Sequence, residues 1–85
     1  MIVQLYAVRD KKTETFMTPV FQQTKGAAIR SFTDAMQSKE QNNLNQHPED
    51  YSLYEVGKWD DQKGVIISQA EPEQLITGLD ISLEK

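Results

Sequence analysis

The chain has 85 residues, 38% of them hydrophobic, with a formal net charge of −4 from nine basic and thirteen acidic side chains. That length allows one domain with one thin core, the lack of cysteine excludes disulfides and thiolate zinc sites as staples, and the acidic balance excludes a uniformly basic nucleic-acid coat. Mean hydropathy is −0.62, but the apolar residues fall in patterned runs, as in a folded chain.

Residues 2–9 alternate, with Val3, Leu5 and Ala7 on one face and Ile2, Tyr6 and Val8 on the other beside Gln4. Both faces are partly apolar, which predicts a central strand. The run is cut short by Arg9-Asp10 and has no basic leader, so it reads as a strand and not as a signal peptide. Asp10-Lys11-Lys12-Thr13 is a polar hairpin turn. Residues 14–21 follow as a second strand, Phe16, Thr18 and Val20 on one face, Met17 and Phe21 on the other. Pro19 has no N–H for a ladder, which confines this strand to an edge or ends it early.

Thr24 is the expected N-cap of a helix in which Ala28, Ile29, Phe32, Ala35 and Met36 recur at three- and four-residue steps as one apolar stripe. Residues 38–50 form a long polar connection whose single large apolar residue, Leu44, can pin a short helical turn, and Pro48 biases His47 away from helical angles. Residues 51–59 predict a third strand with Tyr51, Leu53, Gly57 and Trp59 on one face and Tyr54 and Val56 on the other. Gly57 inside it signals a bulge or a close neighbour. Asp60-Asp61-Gln62-Lys63-Gly64 is a hairpin loop with Gly64 suited to a left-handed position, and Val65-Ile66-Ile67-Ser68 is a short fourth strand. Glu71 to Ile76 can form one helical turn with Pro72 near its start.

The expected fold is α+β with the order β-β-α-β-β: an antiparallel-rich four-stranded sheet with one helix on one face. Residues 1–69 form the domain and residues 70–85 an acidic, apolar C-terminal extension. The second sheet face keeps apolar side chains, so either the extension folds over it or a second copy does, and a homodimer is the expectation. No run reaches the ~18–20 apolar residues of a membrane span, and the expected compartment is the cytoplasm.

Chemistry is sparse. Asp60-Asp61 and Glu49-Asp50 read as solvated turn acids, the single His47 lacks further ligands at metal spacing, the serines lack an elbow motif, and the four glycines form no phosphate loop. The expectation is no enzyme, no metal and no cofactor. Charge is uneven: residues 1–39 carry a net +3 and residues 40–85 a net −7. Single-strand binders combine a basic groove with stacking aromatics. On residues alone, Phe16, Phe21, Phe32 and Trp59 read as core, and Tyr6 and Tyr54 are the aromatics best suited to exposure. The extension, with Leu75, Ile76, Leu79, Ile81 and Leu83 among its acids, either docks on the body or recruits a protein partner.

Several stretches share one order with a known family: Leu5-Tyr6-Ala7-Val8-Arg9-Asp10-Lys11-Lys12, Pro19-Val20-Phe21, the helix Ala27 to Ala35, and His47-Pro48-Glu49-Asp50-Tyr51-Ser52-Leu53-Tyr54 closing on Gly57-Lys58-Trp59-Asp60-Asp61. Over roughly residues 3–67 the chain resembles the small nonstructural protein of gokushovirus-type microviruses, phages with circular single-stranded DNA genomes. The resemblance implies a protein outside the virion, in the host bacterial cytoplasm, that binds DNA and serves single-stranded genome replication or packaging. With that reading the expected single-stranded DNA patch is Arg9, Lys11, Lys12, Lys25, Arg30 and Lys58 with Tyr6 and Tyr54. The alternative is a protein-interaction adaptor for assembly or a host factor.

Overall fold

The central strand forms as the alternation predicts. In the computed structural model, which describes residues 2–83, β1 (Ile2–Asp10) pairs on one side with β2 (Thr15–Phe16) and β3 (Val20–Gln22) and on the other with β4 (Tyr51–Asp60). β5 (Val65–Thr77) pairs with β4, and every pairing is antiparallel. The fold is α+β, with α1 (Lys25–Met36), α2 (Asn43–Gln46), a 3-10 turn at Pro48–Asp50 and α3 (Gly78–Leu83).

The predicted second strand is broken at Pro19 into β2 and β3. The break carries a one-residue slip: Phe16 lies opposite Arg9, whereas Val20 lies opposite Tyr6 and Phe21 opposite Leu5. Because side chains alternate with period two, a one-residue slip exchanges faces. Phe16 and Phe21 therefore share a face, contrary to the expected pattern. A second slip occurs at Val56, since Glu55 lies opposite Tyr6 but Gly57 lies opposite Leu5. It separates Tyr51 and Leu53 from Gly57 and Trp59, which the unbroken alternation had placed together. A Cβ on Gly57 would sit 2.6 Å from the Ile67 carbonyl oxygen, so glycine permits the close approach of β5.

Caps fall where the residue chemistry requires. The Thr24 hydroxyl accepts from the Ala27 N–H at 3.1 Å and starts α1. Asn42 and Asn45 exchange reciprocal bonds of 2.9 and 3.0 Å that hold α2. Gly64 takes φ +68° in the β4–β5 turn, where the Asp60 carboxylate accepts from the Gln62 and Lys63 N–H groups.

α1, α2 and α3 lie on one sheet face. The core joins Tyr6, Tyr51 and Leu53 from the sheet to Ala28, Phe32 and Met36 from α1 and Ile81 from α3, with Leu44, Leu75 and Ile76 packed against it. β5 continues to Thr77, so the helical turn expected at residues 71–76 is strand instead. Helix begins only at Gly78, where Thr77 and Asp80 exchange hydrogen bonds of 3.0 and 3.3 Å. The extension thus supplies an edge strand and a core-docked helix, while Glu84 and Lys85 lie outside the described residues.

Candidate functional site

The sheet face away from the helices is open. Cross-strand partners share a face, so the pairings place Val3, Leu5, Ala7 and Arg9 there with Phe16, Phe21, Ser52, Tyr54, Trp59 and Gln74. Leu5 and Ala7 are only 5% and 4% exposed although no helix covers them. Phe21 lies directly opposite Leu5 and Tyr54 directly opposite Ala7.

Those aromatics form two pairs. Phe16 and Tyr54 meet edge to face with centroids 5.3 Å apart, and Phe21 and Trp59 lie tilted at 6.3 Å. Their β1 partners, Arg9 and Ala7 against Leu5 and Val3, are four residues apart, which separates the pairs by about 13 Å along the strand. Phe16 is 43% and Phe21 55% exposed, so ring surface is available.

The Arg9 guanidinium carbon stands 5.9 Å from the Phe16 ring centroid, in cation–π range. Tyr54 donates its hydroxyl to Gln74 Oε1 at 3.1 Å, which orients its ring. Arg9, Lys11, Ser52, Tyr54, Gln74 and Thr77 line a shallow concavity of about 370 Å³ together with Glu49 and Leu79. The local chemistry is cations beside aromatic rings, with hydroxyl and amide groups between them. That combination is chemically suited to an anion carrying flat rings.

The expected patch is only partly assembled. Arg9, Lys11 and Tyr54 converge. Lys12 points to a different depression with Asp10, Asn43 and His47. Lys25 is on the helix side and pairs with Glu73 at 3.5 Å, and Arg30 is exposed on α1. Lys58 pairs with Gln4, which shares the Tyr6 face of β1, so it also lies away from the open face.

Tyr6 is a correction. It is 0% exposed, in the centre of the core. It faces α1 because it lies on the Val8 side of β1, and its hydroxyl has no hydrogen-bond partner. Burial, and secondarily the Glu55 charge, pushes its phenol above the usual tyrosine range. Tyr51 moves the same way, through burial and then Asp10. Phe16, Phe21 and Trp59, read from sequence as core, are the aromatics that accompany Tyr54. The signals for their placement were Pro19 and Gly57, the residues at or beside the two slips.

His47, Glu49 and Asp50 bring one ligand atom each within 4.8 Å of one another. His47 and Glu49 are exposed, with His47 Nδ1 lying 3.9 Å from Glu49 Oε1. Among the described residues no helix is long and apolar enough to cross a membrane.

No curated protein and no solved structure matches the chain. The model of the family described as Phage ORF5 protein matches residues 3–81, which takes in every strand apart from the first residue of β1, and the first four of the six residues of α3. The chain belongs to the Phage ORF5 protein family.

Proposed function

We propose that this phage protein binds single-stranded DNA on its open sheet face and acts, without catalysis, as an accessory to replication or packaging of a single-stranded genome in the host cytoplasm. The observation that carries the proposal is the pairing of exposed Phe16 with half-buried Tyr54, with Arg9 over Phe16 and Lys11 lining the same concavity as Tyr54. Bases stack on such rings with about 1–3 kcal/mol each, while cations hold the phosphates. The family membership and the microvirus resemblance of residues 3–67 support the phage context.

The acidic total charge fits local binding. Two converging cations, Arg9 and Lys11, give a weak salt dependence, with a log–log slope of about −1.4 for two phosphates on a single strand. Fluorescence anisotropy of a labelled oligonucleotide across a salt series tests this. Saturable binding with that slope, flattened by about half in Lys11→Glu, is expected. No binding at low salt refutes the proposal. The adaptor reading would have to rest on the open sheet face more than on the extension, whose Leu75, Ile76 and Ile81 pack in or against the core.

A further inference from the structure

The concavity on the open face is polar in a one-sided way. Gln74 and Thr77 of β5 lie opposite Tyr54 and Ser52 of β4. They are three residues apart, a spacing that puts side chains on opposite faces of a regular strand. On the β5 side the pairing passes from Ile76 to Gln74 and skips Leu75. That slip brings both Gln74 and Thr77 to the open face, while Leu75 and Ile76 pack against the core.

The fold uses the acceptor atom of each and leaves its hydrogens. Gln74 Oε1 accepts from the Tyr54 hydroxyl at 3.1 Å. The other branch of the amide, Nε2, therefore presents two hydrogens and no acceptor. Thr77 Oγ1 accepts from the Asp80 N–H at 3.0 Å, so its own hydrogen is likewise left to donate. Neither donor has a partner among the described residues. Glu49 is the one acceptor-only side chain of the lining. It stands next to Asp50, whose carbonyl accepts from the Lys11 N–H at 2.7 Å, and so on the side of the cations.

A bound nucleotide has a direction across this surface. Arg9 belongs to β1 and Lys11 to the turn after it, Tyr54 to β4 and Gln74 to β5. The sheet order β1-β4-β5 thus runs from phosphate ligands, over a ring that stacks, to an amide donor, across two strand spacings of about 4.8 Å each. With the phosphate on the cations and the base on Tyr54, the base edge farthest from the sugar meets Gln74. That edge divides the bases into two classes. Thymine O4 and guanine O6 accept there, whereas cytosine N4 and adenine N6 donate. An N–H donor bonds the first class and meets the second donor to donor.

We infer that Gln74, held by Tyr54, is a specificity-determining residue that selects keto bases, thymine and guanine, over amino bases, cytosine and adenine. Tyr54 is then a stacking platform and also a positioning residue, which acts on selectivity through Gln74. The inference rests on the single-stranded DNA reading and names the class of base that the site takes.

Fluorescence anisotropy with labelled oligo(dT) and oligo(dC) of equal length, at low salt, reads the selectivity. Both bases are pyrimidines of similar stacking area, and a mildly alkaline buffer keeps cytosine unprotonated. One hydrogen bond gained predicts about 2- to 13-fold tighter binding of oligo(dT). Gln74→Glu keeps an acceptor for the Tyr54 hydroxyl and places a second acceptor where Nε2 stood. The preference should then pass to oligo(dC), although the added negative charge lowers both affinities. Tyr54→Phe keeps the ring and releases the amide, so the ratio should shrink toward unity. Gln74 is exposed, and far-ultraviolet circular dichroism of its variant should match the wild type. Equal binding of the two strands by the wild type overturns the inference and leaves the DNA reading standing, as does a ratio unmoved in Gln74→Glu. Binding of neither strand at low salt overturns both.

Discussion

Replacing Tyr6 with phenylalanine separates two roles for one aromatic. The ring is fully buried among Ala28, Phe32 and Leu53, and its hydroxyl has no hydrogen-bond partner. An unsatisfied buried polar group costs about 1–3 kcal/mol. Tyr6→Phe keeps the ring packing and removes that cost, at the expense of a small void where the oxygen was. We expect a net stabilisation of about 1 kcal/mol, which is about 4–8 °C in Tm for a domain this size. The same change alters the alkaline limb. The Tyr6 phenol titrates higher in the folded chain than its ordinary 10.0, through burial and then Glu55. Its contribution is therefore complete below pH 10.0 and is lost as pH rises through the folded pKa, because the unfolded phenol ionises first. Tyr6→Phe should flatten the fall in stability above pH 10.0 without abolishing it, since the Tyr51 phenol is also raised. Urea denaturation as a function of pH measures both effects. A loss of more than about 1 kcal/mol at neutral pH would refute the reasoning, since it would mean that the hydroxyl makes a bond worth keeping. Single-stranded DNA affinity should be unchanged, which distinguishes a core Tyr6 from the ligand-facing Tyr6 expected from sequence.

Four further predictions concern the open face and the slip that shapes it. Phe16→Ala should weaken single-stranded DNA binding by about 5- to 150-fold, the cost of one stacked base, with little loss of fold because the ring is 43% exposed; anisotropy and circular dichroism read the two. Lys11→Glu should weaken binding more than Lys12→Glu or Lys58→Glu, because only Lys11 of the three lines the concavity with Arg9 and Tyr54; parallel titrations at one low salt concentration decide it. Glu49→Gln removes an acid from the lining of that concavity and should raise affinity a few-fold at low salt, with the gain shrinking as salt screens it. Gly57→Ala should destabilise the chain by about 2–4 kcal/mol in urea denaturation, because its Cβ would press on backbone of Ile67 and not on a movable side chain.

Local chemistry was readable wherever one residue type has one job. Thr24 caps α1 through its hydroxyl, Gly64 takes the left-handed turn position, and Leu44 pins α2 to the core. The alternation of β1 correctly predicted a central strand. Faces were lost where the period was interrupted. Pro19 and Gly57 were recognised as irregular, but neither says by how many residues the pairing slips, and a single residue exchanges the faces of everything beyond it. The aromatic platform therefore stayed hidden, with Phe16, Phe21 and Trp59 assigned to the core and Tyr6 to the surface. The length of β5 was missed for a related reason. Glu71-Pro72-Glu73 reads as a helix start, yet proline is equally at home in a bulge on an edge strand, and only the pairing of Glu73 with Glu55 shows which. Clustering of cations was illegible in principle: Lys11 and Lys12 are adjacent in the chain but line different depressions.

The chain carries its own reporter for the open face. Trp59 is its single tryptophan, and it stands on that face beside Phe21. Titration of the intrinsic fluorescence with a short oligonucleotide at low salt, followed by back-titration with salt, therefore tests the central claim most directly. Saturable quenching of Trp59 that salt reverses is the predicted result. Unchanged fluorescence through a titration in which anisotropy shows the oligonucleotide bound would contradict the assigned face, and an absence of both signals would contradict DNA binding itself.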